Sequence, residues 1–225
     1  MINSFLKPWL DGKYSLPSPN ELRAVRPDIE DGWWISVNDS VPFYKVMDRP
    51  VLGLVDAWKK NWAYYESAVS IAHEYDGYTL EHEDRCDILD VLGEPPDVSH
   101  PLYLITVRKD GKEQLMYVGK SSSSVSRFAS GHSIAIKLLS PEYDGFEKLI
   151  YFVQVMLYNN EFGHLPLEFL GDQSLAEQIL DDTESKLIYH LQPVLNVRKK
   201  KILMAKFDFT VLIENSPGFI SHSSI

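Results

Sequence analysis

Residues 184–196 read ESKLIYHLQPVLN, and the rest of the chain is organised around them. Just upstream, Ser174 and Glu177 stand three residues apart at the head of a helical pattern. That is a capping-box arrangement, in which a serine hydroxyl and a later glutamate satisfy the free amides of a first turn. Leu180, Glu184, Leu187, Ile188 and Leu191 then recur at intervals of three and four, the period of one helical face. Glu184 therefore falls inside an apolar stripe, where an unpaired carboxylate carries a heavy desolvation cost. Such a group requires a cation, a metal ion or a proton, and a salt bridge to a core arginine is the plain structural alternative. Asp181, Asp182 and Lys186 fall off the stripe and read as solvated charges. Pro193 closes the helix, and Asn196 follows in the turn beyond it.

Composition bounds the classes. A chain of 225 residues with 44% hydrophobic and 24% charged residues can bury a full core and has the make-up of a soluble globular protein. No apolar run reaches the ~18–20 residues of a membrane span. The single cysteine, Cys86, excludes an intramolecular disulfide, and the absence of a basic-then-apolar leader makes a cytoplasmic location the expectation. The net charge of −10 argues at first against nucleic acid. The charge is unevenly spread, however. Residues 1–99 hold 18 acidic against 9 basic side chains, whereas residues 100–225 hold 14 against 13 and include the run Arg198, Lys199, Lys200 and Lys201.

Taken in order, residues 33–37 and 43–46 are strand candidates around a turn-prone Asn38-Asp39-Ser40. Residues 51–75 and 78–92 read as helices, the second strongly acidic. The breaker run at 93–97 (GEPPD) marks a boundary. Beyond it, 102–107 (LYLITV) and 115–119 (LMYVG) are strands joined by a turn at Lys109-Asp110-Gly111-Lys112. A helix is expected from about 125 to 139, a long strand at 149–158 and a last strand at 202–213. The division predicted is an acidic α+β region (1–97), a core (98–200) and a C-terminal strand and tail (201–225).

Tyr117-Val118-Gly119-Lys120-Ser121 ends a strand with glycine, lysine and serine. A phosphate-binding loop would need a second glycine five residues before Gly119, where Gln114 stands. Arg127 follows ten residues after Tyr117, and His132 lies five beyond it. Together these residues resemble the GIY-YIG nuclease family. The first strand motif of that family, Gly-Ile-Tyr, is matched by Pro101-Leu102-Tyr103, with proline in place of the leading glycine. The second, Tyr-Ile-Gly, is matched by Tyr117-Val118-Gly119. The family arginine falls on Arg127, and Glu-x-x-Leu-Ile-(x)4-Pro-x-x-Asn falls without a gap on Glu184, Leu187, Ile188, Pro193 and Asn196. The resemblance covers about residues 100–200. The family histidine is usually four residues after the arginine. His132 is five after Arg127, about 140° off the helical face, and joins the site only if Gly131 breaks the helix.

The resemblance implies an α/β fold, with a small, mostly antiparallel three-stranded sheet flanked by helices and an N-terminal α+β extension. It implies a Mg²⁺-dependent (or Mn²⁺-dependent) endonuclease acting on double-stranded DNA, similar to restriction-type members, with a homodimer in view. A structure-specific or repair nuclease, or a binding module that does not cleave, is the alternative. Glu184 would be the metal ligand, since Mg²⁺ takes one or two carboxylates and keeps waters elsewhere. Arg127 would hold the phosphate through its planar fork. Tyr103 would activate the attacking water, beside Tyr117 on the next strand. A tyrosine pKa near ~10 requires a nearby cation for that task, Lys120, Arg127 or the metal. Asn196 would orient the helix end.

Overall fold

The computed structural model describes residues 4–13, 32–37, 39–48, 51–72, 80–121, 128, 133–159 and 163–225. A short helix α1 (Lys7–Leu10) is followed by strands β1 (Trp33–Val37) and β2 (Ser40–Pro42). Helices α2 (Leu54–Ala72) and α3 (His82–Leu92) come next, then strands β3 (Leu102–Lys109) and β4 (Lys112–Lys120). The rest comprises α4 (Ser133–Lys137), β5 (Glu147–Asn159), β6 (Gly163–Pro166), α5 (Gln173–Leu191) and β7 (Val211–Asn215).

The small three-stranded sheet is contradicted. The strands form one seven-stranded mixed sheet with the path β4-β3-β5-β1-β7, and β2 and β6 also pair with β5. β4, β3 and β5 are neighbours and antiparallel, as in Tyr103↔Gly119 and Tyr103↔Phe152. The sheet does not stop there because β5 is thirteen residues long and β3 uses only its first half. The second half of β5 (FVQVMLYN) pairs with β1 and β6, and β1 recruits β7 in parallel. Segments from both ends of the chain thus complete the sheet that carries the central strands.

β3 is buried from Leu102 to Val107 because both of its faces are covered, which is why it reads as a continuous apolar run. On one face Leu104, Val118, Tyr151 and Val153 pack with Ile179, Leu180, Leu187 and Ile188 of α5 and with Trp58 of α2. On the other, Tyr103, Ile105 and Phe152 pack with Phe128, Ile134 and Leu138. A third cluster joins α1, α2 and α3 through Trp9, Tyr65 and Ile88.

Three local expectations also change. Residues 43–48 form a 3-10 helix instead of a strand, directly after Pro42, which has no amide to donate to the ladder. The α5 N-cap is Asp172, whose carboxylate accepts from Leu175 N at 3.0 Å, and not the Ser174–Glu177 box. The last strand starts at Val211, because the segment before it lies along α5: Lys206 N and Phe207 N each donate to Asp182 at 2.9 Å, and Met204 N donates to Ser185 Oγ at 3.0 Å. Asp182 and Lys186 are therefore buried, not solvated, and the Lys186 ammonium lies 5.0 Å from the centre of the Phe209 ring. No described helix is long and apolar enough to cross a membrane.

Candidate functional site

Tyr103 is fully buried, and its ring lies across Gly119 on the neighbouring strand. A Cβ at position 119 would stand 2.5 Å from Tyr103 Oη, 2.6 Å from its Cζ and 2.8 Å from Tyr117 Cε1. Glycine is required there for close approach, not for a special backbone angle. The Tyr117 ring stands 6.0 Å from that of Tyr103, and Phe128 meets Tyr103 edge-on at 5.3 Å. The two tyrosines therefore share one face of the sheet, as their proposed joint role requires.

Side chains alternate across a strand, so Lys120 points to the other face of β4. There its ammonium pairs with Asp181 of α5. Asp181, expected to be an ordinary solvated charge, remains half-exposed but ties the helix to the strand end. Beside Lys120 a cleft of about 340 Å³ opens between the start of α2 (Gly53–Asp56), Ser121, and Glu177 and Leu180 of α5.

Asn196 is buried and brackets one residue of β4: Val118 N donates to its Oδ1 at 2.9 Å, and its Nδ2 donates to Val118 O at 3.0 Å. Leu195 N donates to Met116 O at 2.7 Å alongside. The chain leaving α5 thus covers the outer edge of β4, which would otherwise present unpaired amides. Three residues later Lys199 Nζ lies 2.6 Å from Glu184 Oε2, with the two side chains 22% and 14% exposed. Asn196 on Val118 and Lys199 on Glu184 are separated by at most about 10 Å of chain. The counter-charge of Glu184 is a lysine fifteen positions downstream in place of a core arginine. Lys199 adopts φ 65°, a left-handed conformation uncommon for a residue with a side chain.

The structure brings Tyr103 and Tyr117 together on one face of the sheet, places Lys120 and α5, with Glu184, on the other, and sets Asn196 on the outer edge of β4. Arg127 and His132 lie outside the described residues. Among the described residues no group of three or more His, Cys, Asp or Glu side chains comes together to hold a metal. A lone carboxylate such as Glu184 falls short of the three or four protein ligands that Zn²⁺ takes, whereas Mg²⁺ can be held by one carboxylate oxygen with waters and a substrate phosphate.

Another carboxylate escaped sequence reasoning. Glu168 is buried and accepts from Ser99 N at 2.8 Å and Ser99 Oγ at 2.7 Å. Burial pushes its carboxyl above the usual range, the Ser99 hydrogen bonds oppose that, and nearby Asp97 adds to it. These bonds join the approach to β3 with the turn that leads into α5. No short motif marks it in the sequence. No family model matches the chain, and neither a curated protein nor a solved structure is significantly similar to it.

Proposed function

We propose that the chain is a divalent-metal-dependent DNA endonuclease that hydrolyses phosphodiester bonds, cutting double-stranded DNA in the manner of restriction-type GIY-YIG enzymes. What carries this reading is the close succession of contacts around β4: the Tyr103 ring on Gly119, Asn196 on Val118, and Lys199 on Glu184. Tyr103 and Asn196 are held to β4, and Glu184 stands on the helix packed against the face of the sheet opposite Tyr103.

Phosphodiester cleavage needs charge neutralisation, a cation beside the phosphate, and a group that takes a proton from water. Glu184 would hold Mg²⁺ or Mn²⁺ through one carboxylate oxygen, and the bound ion would supply the neutralisation at the phosphate. Arg127 would grip the scissile phosphate. Tyr103 would take the proton from the attacking water through its phenol oxygen. Lys120 faces away from Tyr103 and is engaged by Asp181, so stabilising the phenolate would fall to Arg127 or to the bound ion. Asn196 would keep the end of α5, and with it Glu184, registered on β4. Structure-specific or repair cleavage uses the same chemistry on another DNA form.

A second reading, a GIY-YIG-like binding module that does not cut, draws on the complete burial of Tyr103 and the ion pair on Glu184. Incubating supercoiled plasmid with the purified chain in Mg²⁺, and separately in EDTA, distinguishes the two. Conversion to nicked or linear forms in Mg²⁺ alone supports the nuclease. DNA retention without conversion supports the module.

A further inference from the structure

Lys199 is the one cation placed by the described residues on the carboxylate that the nuclease reading assigns to a metal. A divalent ion reaching Glu184 would meet an ammonium already in contact with the oxygen it needs. Carboxylate and ammonium form a neutral pair, so there is little net charge left to attract a second cation. Three further observations indicate that this contact can be exchanged. Both side chains keep some exposure, and Lys199 has a left-handed backbone angle uncommon for a residue with a side chain. Lys199 also belongs to four successive cations, Arg198–Lys201, within a chain of net charge −10. Val197 is 82% exposed and Arg198 and Lys201 are exposed, so the run lies at the surface.

We infer that Lys199 is a resident counter-ion of Glu184 that exchanges onto a DNA phosphate, so that docking of Arg198–Lys201 on a duplex backbone opens Glu184 to the divalent ion. This inference rests on the nuclease reading and adds its regulation. In the absence of DNA, Lys199 occupies the carboxylate and the site is weak for metal. With DNA bound, the run of cations is drawn to the phosphates and Lys199 leaves Glu184 with its full negative charge. Linkage then requires the converse, that the metal tightens DNA binding by the same factor. The arrangement confines a competent metal site to the DNA complex.

The test uses the full chain and two probes. Mn²⁺ binding to the protein alone is followed by electron paramagnetic resonance for wild type, Lys199→Met, Lys199→Arg and the double variant Glu184→Gln/Lys199→Met. Binding of a 20-base-pair duplex in EDTA is followed by fluorescence anisotropy over a range of salt. Lys199→Met should bind Mn²⁺ at least about tenfold more tightly than wild type, Lys199→Arg should resemble wild type, and the double variant should lose the gain. The salt slope of duplex binding should fall by about one in Lys199→Met, the signature of one lost phosphate contact. An unchanged Mn²⁺ affinity in a folded Lys199→Met, with wild type cutting plasmid, overturns the exchange and leaves the nuclease standing. Absence of Mn²⁺ binding in every variant, with no plasmid cleavage by wild type, overturns both. Should Lys199→Met fail to fold, Lys199→Gln carries the same comparison.

Discussion

Gly119→Ala is the sharpest perturbation of the proposed site, because the structure dictates what the added methyl meets. The new Cβ would lie 2.5 Å from Tyr103 Oη, 2.6 Å from Cζ and 2.8 Å from Tyr117 Cε1, all well inside ordinary contact. Tyr103 has no exposed surface and is hemmed in by Phe128 and Phe152. Its ring cannot swing away freely, so β3 and β4 must separate or the ring must leave its rotamer. Overpacking of this kind costs about 1–3 kcal/mol, which for a chain of this size lowers the melting temperature by roughly 2–12 °C. The phenol oxygen would also move by a distance comparable to the overlap, and a misplacement of ~1 Å can cost ~10²-fold in rate. Thermal denaturation and plasmid cleavage on one preparation read both effects. Tyr103→Leu in the Gly119→Ala background removes the two closest clashing atoms and leaves only Tyr117 Cε1, so the double variant should be less destabilised than the two singles added together, by about 0.5–3 kcal/mol. Strict additivity, or a Gly119→Ala protein as stable as wild type, would refute the close-approach account.

Other outcomes follow from named contacts. Asn196→Ala strands the buried N–H and C=O of Val118 and should destabilise by about 2 kcal/mol or more. Asn196→Asp keeps the acceptor but sets a carboxylate against the Val118 carbonyl, so its melting temperature should recover as the buffer is made acidic. Glu168 has a folded pKa above its unfolded value, so its contribution to stability is full below about pH 4 and is lost as pH rises through the folded pKa. Glu168→Gln can keep both bonds to Ser99 and should gain on wild type in melting temperature as the pH rises above about 4; a gap independent of pH would show that the folded pKa of Glu168 is not raised. Tyr103→Phe should slow plasmid cleavage by at least about 10²-fold, and wild-type kinetics would move the proton-accepting role elsewhere.

Much of the centre of the molecule is legible in the sequence, for physical reasons. β3 and β4 are short apolar runs around a polar turn at Asp110-Gly111, both of positive φ, and their pairing is local. The stripe from Leu180 to Leu191 marks α5, and the anomaly of Glu184 within it calls for a cation, a metal ion or a proton. The identity of that partner is not legible, because Lys199 reaches back from an irregular segment whose path depends on Asn196 and Gln192. Asp182 and Lys186 look solvated from helical periodicity alone. They are buried because residues 204–209 cover a second face of α5, a tertiary event without a local signal. The width of the sheet is hidden for the same reason: Ser36 of β1 and Glu214 of β7, whose side chains meet at 3.0 Å, are 178 residues apart.

The central claim is that Glu184 serves as the metal-binding carboxylate of a DNA-cutting site, and Glu184→Gln addresses it most directly. Glutamine preserves the volume and the hydrogen bond to Lys199 but removes the charge that would attract Mg²⁺. The account predicts a folded protein that still binds duplex DNA in an anisotropy assay, more tightly if anything because a negative charge is gone and Lys199 is held only by a neutral acceptor, and that leaves supercoiled plasmid intact in Mg²⁺ while wild type converts it. A Glu184→Gln protein that cuts plasmid at the wild-type rate would contradict it.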